Sequence, residues 1–214
     1  MSDLCYELHQ LCSLLPRLRF PFEEKDIPRN GVYILFEEGE EAHGIDRIVR
    51  IGSHIGQNKL LSRLREHFIN ENKDRSIFRK NIGRALLNRD QDPFLKYWEL
   101  DLTARESREK YRALIDPAKQ QDVERRVTEY IRSHFSFVVF QIDEQQRRLD
   151  SEKKLISTVS LCDECEPSAN WLGLHSPKLE IRQSGLWQTN ELYKQPFTAN
   201  EFEKLRALIL RKRG

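Results

Sequence analysis

Arg63 and His67 lie four residues apart in the run 60–68, which has helical periodicity. On a helix, residues i and i+4 lie one above the other, and both side chains fall at the edge of the apolar stripe, where they can point into a cleft. An arginine can bind phosphate through two parallel hydrogen bonds, and a histidine titrates near neutral pH. The apolar stripe that predicts this helix is formed by Leu60, Leu61, Leu64 and Phe68.

Three runs of β-branched and aromatic residues must position this helix. Residues 31–36 and 47–52 are separated by a short segment rich in acidic residues, which predicts an antiparallel hairpin with an acidic loop at 37–46. Residues 136–142 are bulky and apolar in succession, which predicts a central strand covered on both faces. The expected fold is therefore α/β, with a small central mixed or antiparallel sheet of about three main strands flanked by helices.

These elements carry a recognisable order of motifs. Gly31-Val32-Tyr33 on the first strand, Ile51-Gly52 ending the second, and Arg63-x-x-x-His67 on the helix resemble the GIY-YIG nuclease superfamily. There is one departure, because the second motif of the family begins with a tyrosine and this chain has Arg50 there. The resemblance covers scattered blocks within residues 29–175.

The resemblance implies a role for five positions. Tyr33 matches the tyrosine that assists the attacking water, and Arg63 the arginine that holds the phosphate. His67 matches a helix position that helps proton transfer or phosphate contact. Glu152, expected in the first turn of a helix capped by Asp150 or Ser151, matches the single carboxylate that binds the metal, and Asn170 matches a late asparagine that orients the site. Taken one at a time, each has an ordinary structural explanation in the core, on the surface or in a turn.

Arg50 leaves two alternatives open. A guanidinium stays protonated and cannot act as a base, but it can bind phosphate. Either Tyr33 suffices as the tyrosine of the site, or cleavage is lost and Arg50 serves binding. His54, two residues after Gly52, is a further candidate base or substrate contact.

Positive charge is concentrated between residues 47 and 89, which contain eleven lysines and arginines and only three acidic residues. Such a block predicts a phosphate-binding surface, although a solvated face of two helices has the same composition. Ser76 is expected to cap the second of these helices. The candidate substrate contacts within the block, besides Arg50 and His54, are Arg65, Arg79, Lys80 and Arg84.

Composition restricts the class of protein. The chain has 214 residues, of which 38% are hydrophobic and 33% charged, with a net charge of +2. No run approaches a membrane span, the first twenty residues do not resemble a signal peptide, and the expected location is cytoplasmic. We expect an N-terminal helix and lead-in over 1–28, the nuclease-like domain over 29–175 with a helical insertion near 70–134, and a basic C-terminal extension with a terminal helix over 176–214.

Two further sequence patterns each allow two interpretations. Cys162-x-x-Cys165 is half of a zinc motif, and Cys5, His9 and Cys12 on one helix face are able in principle to complete it, while buried or surface thiols are the ordinary alternative. Residues 181–190 mix arginine, amides and Trp187, which suits nucleic-acid contact or a loop packed on the core.

The sequence thus predicts a metal-dependent DNA endonuclease that uses a single Mg²⁺ or Mn²⁺ ion held by Glu152. Its expected partner is DNA, with no membrane and no organic cofactor, and a homodimer is allowed. The alternative is a nucleic-acid-binding module that kept the fold and lost the chemistry. Arg50 favours the alternative, and Glu152 with Asn170 favours the enzyme.

Overall fold

The fold is a four-stranded antiparallel sheet with helices on both faces, which confirms the predicted α/β class. The computed structural model describes residues 2–211, with side chains for 3–210, so the last three residues of the expected basic extension lie outside the described part. The strands are β1 (Leu18–Arg19), β2 (Gly31–Ala42), β3 (Ile45–Gly52) and β4 (Phe135–Gln141), in the order β1-β4-β2-β3.

The helices follow the expected order along the chain. Short 3-10 turns occur at Glu24–Asp26 and Leu172–His175. No helix within the described residues is both long and apolar enough to cross a membrane. The α-helices are α1 (Ser2–Ser13), α2 (Leu60–Phe68), α3 (Ile77–Arg89), α4 (Leu95–Trp98), α5 (Arg105–Tyr111), α6 (Pro117–His134), α7 (Gln145–Ser160), α8 (Leu179–Ser184) and α9 (Ala199–Arg211).

Alternation along the central strands divides the core into two layers, as period-2 side-chain geometry requires. Val32 and Ile34 of β2 face α1, α7 and α9, whereas Tyr33 and Leu35 face α2, α3 and α6. Strand β4 alternates in the same way and is covered on both faces, as expected. Because α1 and α9 contribute to the same layer, the ends of the chain share the core of the sheet; the expected boundaries at 28 and 175 remain predictions.

The predicted acidic loop at 37–46 is wrong. The strands continue to a two-residue turn at His43-Gly44, because the inward-facing acidic side chains are paired rather than solvated. Glu37 accepts hydrogen bonds from Tyr130 and from two tryptophans, and Glu40 pairs with Arg47. A buried carboxylate is tolerated when its oxygens are satisfied in this way.

The start of α7 also differs from expectation. Glu144 caps this helix through its side chain, which accepts the backbone N–H groups of Gln146 and Arg147. Glu152 consequently lies two turns into the helix and not in its first turn. Within the polar segment before it, Arg148 turns inward and is fully buried.

Helix α3 carries buried basic side chains where the sequence predicted a solvent-facing basic surface. Ser76 caps the helix as predicted. Arg79 is 0% exposed and donates hydrogen bonds to Glu124, at 2.8 Å for the closest pair, and to Thr128. A buried, paired guanidinium cannot reach DNA phosphate, so the expected substrate contact by Arg79 is wrong in this fold.

The Arg79→Ala variant should be destabilised by about 3–5 kcal/mol, because it leaves Glu124 buried without its charge partner. Urea unfolding measures this change, and Arg105→Ala is the matched control because the Arg105 side chain is 86% exposed. Wild-type stability together with weaker DNA binding in Arg79→Ala would contradict the structural role.

Candidate active site

A cleft of about 480 Å³ opens where β3 ends. The loop 53–59 lies along it, α2 forms one wall, and α7 forms the other. Because α2 and α7 pack on opposite faces of the sheet, the cleft lies at the strand end and not over one face. Its lining residues are Ser53, His54, Ile55, Lys59, Ser62, Arg63, Glu66, Leu149 and Glu152.

Two buried side chains hold the loop 53–59 in place. Arg148 of α7 donates to the carbonyl oxygens of His54 and Gly56, at 3.2 and 2.9 Å. Asn30 accepts the backbone N–H of Asn58 at 2.6 Å. The loop is therefore attached to β2 and α7 by hydrogen bonds, and the cleft it lines is preformed.

Two carboxylates line the cleft. Glu152 accepts a short hydrogen bond from the Ser53 hydroxyl. Glu66 lies in the last turn of α2. Its Oε1 lies 3.8 Å from Nη1 of Arg75. Its Oε2 is buried and has no hydrogen-bond partner among the described residues. Sequence reasoning missed Glu66, although its position three residues after Arg63 places both on one helix face.

Arg63 and Lys59 supply the positive charge of the cleft. Arg63 is half-buried and uses Nη1 to donate to the carbonyl oxygen of Arg75 at 3.1 Å. Lys59 is exposed at the start of α2. The structure therefore brings Arg63 and Glu152 to one cleft, and their roles there stay predictions.

Tyr33 and His67 form a buried pair below this cleft and do not line it. Both are 0% exposed, and the Tyr33 hydroxyl lies 2.8 Å from Nε2 of His67. Nδ1 of His67 lies 2.7 Å from the Ser76 hydroxyl. Gly52 is required at the strand end, because a Cβ there would lie 2.2 Å from the Tyr33 oxygen.

The environment of His67 keeps its imidazole neutral. Burial lowers the pKa of His67 well below 6.5, and the positive charges of Arg63, Arg50 and Arg79 lower it further. A neutral imidazole has one nitrogen that accepts and one that donates. His67 can thus accept the hydrogen bond of the Tyr33 hydroxyl while it donates to Ser76.

His54 lines the cleft as a hydrogen-bond donor. Its Nε2 accepts the backbone N–H of Gly31 at 3.3 Å, so the proton of the neutral ring lies on Nδ1. That Nδ1 is buried and has no partner among the described residues. Burial lowers the pKa of His54, with Arg148 acting in the same direction, so the neutral ring is favoured over the charged imidazolium.

Arg50, at the altered motif position, is a structural side chain. It is 5% exposed, donates a short hydrogen bond to the carbonyl oxygen of Trp187, and lies over the ring of Phe78 at 5.2 Å. The expected phosphate contact by Arg50 is wrong in this fold, since the guanidinium is enclosed on the Tyr33 side of the sheet.

Asn170 does not reach the cleft. It is exposed in a turn between Ser168, which bonds to Glu40, and Trp171, which bonds to Glu37. Those partners lie toward the tip of the β2–β3 hairpin, whereas Ser53 follows the other end of β3. The expected orienting role of Asn170 is therefore wrong.

Most of the basic block outside the cleft is neutralised locally. Arg84 pairs with Glu99 at 2.6 Å and its side chain is 8% exposed, so it cannot serve the expected contact. Lys80 donates to the carbonyl oxygen of Glu99 at 2.9 Å. Arg65 is half-exposed and pairs with Glu24; its substrate contact stays a prediction.

Comparison with known proteins assigns the chain to a protein family. A family model described as a GIY-YIG domain matches residues 6–213. The chain belongs to the GIY-YIG domain family. No curated protein sequence and no solved structure gave a significant match. Membership indicates a nuclease-type function acting on nucleic acid, because this family typically consists of endonucleases that use divalent metal ions.

The GIY-YIG cleft has donors that suit such an ion. Mg²⁺ prefers oxygen ligands and is commonly held by one or two carboxylates together with substrate phosphate and water. Glu152 and Glu66 provide two carboxylates in one cleft, and the unpartnered Oε2 of Glu66 is a vacant acceptor. The residues present therefore fit one divalent metal ion.

The buried state of His67 predicts how stability depends on pH. Its pKa is lower in the folded chain than in the unfolded chain, so the unfolded state takes up more protons and the free energy of unfolding falls as pH falls. The expected loss is about 1.4 kcal/mol between about pH 7.5 and about pH 5.5. Chemical denaturation across this range measures it.

His67→Gln should be less stable at neutral pH but should show a shallower decline, because the titrating group is gone. His175→Gln is the control, since His175 is exposed, and its decline should match the wild type. An unchanged decline in His67→Gln would assign the pH dependence to other groups.

Proposed function

We propose that this GIY-YIG domain is a metal-dependent DNA endonuclease whose active site is the cleft at the end of β3. The observation that carries the proposal is the convergence of Arg63, Glu66 and Glu152 on that cleft from helices on opposite faces of the sheet. Phosphodiester hydrolysis requires a cation that holds the phosphate and carboxylates that can bind a metal ion beside it, and both line this cleft. A site for binding alone would gain nothing from carboxylates facing phosphate.

Each cleft residue has a separate task in this proposal. Arg63 binds the scissile phosphate and stabilises its developing charge. Lys59, which is exposed, contacts a neighbouring phosphate oxygen. Substrate contact by His54 stays a prediction, since its unpartnered Nδ1 is buried. Glu152, with Glu66, would hold one Mg²⁺ or Mn²⁺ ion, which when bound neutralises charge on the phosphate and the leaving oxygen.

Tyr33 is assigned to the attacking water, and His67 to holding the Tyr33 hydroxyl, since the family resemblance implies a role for both. In the resting arrangement the Tyr33 hydroxyl is bonded to His67 and is closed to solvent. Orientation of the attacking water by Tyr33 therefore requires that water reach the hydroxyl beside Gly52, while His67, kept neutral by its surroundings, accepts the hydrogen bond of the phenol. The pair lies next to the cleft, because Gly52 precedes Ser53 and His67 is one turn after Arg63.

The decisive experiment incubates the protein with supercoiled plasmid and with branched DNA, in Mg²⁺, in Mn²⁺ and without divalent ions. Wild type should cut only when a metal ion is added. Glu152→Gln should reduce cleavage at least about 100-fold, because the charge that holds the metal is removed. Its DNA affinity without metal should be equal or slightly higher, since one negative charge facing phosphate is lost.

Glu180→Gln is the matched control, because Glu180 is exposed on α8 away from the cleft, and it should cut like the wild type. Arg63→Ala should lose both affinity and rate. If wild type binds DNA and cuts nothing with either ion, and Glu152→Gln behaves identically, the nuclease proposal is wrong.

That outcome would support the second candidate, a nucleic-acid-binding module. It is favoured by Arg50, which fills the position of the second motif tyrosine and is tied to the Trp187 carbonyl. Lys59→Ala should then weaken binding of all sequences alike and reduce the slope of log affinity against log salt by about one. The exposed Arg105→Ala should leave the slope unchanged; equal slopes for both variants would exclude the cleft as the binding surface.

A further inference from the structure

A cluster of thiols and imidazoles lies toward the hairpin tip, away from the nuclease cleft. Cys5 and His9 come from α1, His43 from the turn between β2 and β3, and Cys162 and Cys165 from the segment after α7. Ligand atoms of Cys5, His9, His43 and Cys165 all lie within 4.8 Å of one another. Cys12, which the sequence offered as a ligand, is buried among apolar side chains and is not in the cluster.

Three distances within the cluster match those of a tetrahedral zinc site. With Zn–S of about 2.3 Å and Zn–N of about 2.0 Å, neighbouring sulfurs should lie about 3.8 Å apart and sulfur and nitrogen about 3.5 Å apart. Sγ of Cys5 lies 3.5 Å from Sγ of Cys165. Nε2 of His43 lies 3.5 Å from Sγ of Cys162 and 3.6 Å from Sγ of Cys165.

His43 is oriented as a metal ligand. It occupies a left-handed position in the hairpin turn, with φ 55°, yet its side chain is only 1% exposed. Nδ1 of His43 lies 3.1 Å from a carboxylate oxygen of Glu164. A carboxylate on one ring nitrogen fixes the tautomer and leaves the other nitrogen free to bind metal, and here that nitrogen faces two thiols.

His9 has no lone pair left for a metal. Its Nε2 accepts the backbone N–H of Ile48 at 3.2 Å, and its Nδ1 lies 2.9 Å from the carbonyl oxygen of Cys5 and donates to it. Both ring nitrogens of His9 are therefore used by the backbone. Cys162 has no such competing bond, and the backbone N–H of Glu164 donates to it, as suits a thiolate.

We propose that Cys5, His43, Cys162 and Cys165 bind one structural Zn²⁺ ion, with His9 and Glu164 as positioning residues. Three thiolates and one imidazole form a closed tetrahedral donor set that suits zinc and not magnesium. The ion joins α1, the hairpin turn and the segment after α7. It is separate from the metal ion proposed for the cleft, where the donors are carboxylates.

The test measures the metal content of the full-length protein by elemental analysis after dialysis against metal-free buffer. Wild type should retain about one zinc per chain. Titration of the metal-free protein with Co²⁺ should give the strong visible absorption of tetrahedral thiolate coordination, which a merely structural thiol cluster would not produce. Zinc removal should lower the melting temperature.

Two ligand variants should bind near-zero zinc. Cys162→Ser removes one thiolate, and His43→Asn removes the imidazole while keeping a residue that tolerates the left-handed turn. Cys12→Ala on the same helix is the matched control and should keep one zinc. Glu164→Gln should keep zinc but weaken its affinity about 10-fold or more.

Three results would overturn the proposal. One is wild-type protein with no zinc and no cobalt spectrum; another is a Cys5–Cys165 disulfide already present in freshly purified wild-type protein. The third is loss of zinc in His9→Gln with full zinc in Cys162→Ser, which would replace Cys162 by His9 in the ligand set. Zinc analysis should omit Mg²⁺, and nuclease assays should include Mg²⁺ or Mn²⁺ but no chelator, so that loss of zinc and failure of the cleft are distinguished.

Discussion

The carboxylate of Glu37 holds together parts of the chain that are far apart in sequence. Glu37 lies on β2 and is 4% exposed. It accepts hydrogen bonds from the Tyr130 hydroxyl at 2.5 Å and from the indole N–H groups of Trp171 and Trp187 at 2.7 Å each. Burial raises its pKa, and the three donors oppose that shift. Loss of one such partner leaves a buried polar group unpaired, which costs about 1–3 kcal/mol.

The position of Trp187 determines how the edge of the sheet is closed. β3 is an outer strand, and exposed strand edges invite pairing with other chains. The backbone N–H of Trp187 donates to the carbonyl oxygen of Val49 at 2.8 Å, and Gln188 accepts the N–H of Ile51 at 3.0 Å. Of the two interpretations of residues 181–190, the loop packed on the core is the one observed.

The segment around Trp187 also fixes the position of the Arg50 side chain. The guanidinium that replaces the second motif tyrosine donates to the Trp187 carbonyl, so the segment that covers the edge also holds the altered motif. Arg50 adds positive charge beside His67 and helps keep it neutral. The departure from the family pattern is thus part of the packing of this chain, and it leaves the Tyr33–His67 pair intact.

The β2–β3 hairpin separates two polar sites by its length. Carboxylates and cations meet at the end near Gly52, and thiols and imidazoles meet near the turn at His43. Hard oxygen donors and soft sulfur donors favour different metal ions. The long hairpin therefore keeps the carboxylates of the cleft apart from the thiols and imidazoles near the turn.

Local pattern was enough for much of the fold. The strands near 31, 47 and 136, the helix 60–68 and the Ser76 cap are encoded by periodicity and capping chemistry. The motif order from Tyr33 to Arg63 pointed to the family that the comparison then showed.

Tertiary structure alone decided which charged groups are available. Sequence shows that Arg79, Arg84 and Arg50 are basic, but their partners are up to 137 residues away in the chain. Separation in sequence likewise hid the position of Asn170 outside the cleft and that of His43 facing Cys162 and Cys165. Burial and pairing depend on which segments the fold brings together, and no local pattern records that.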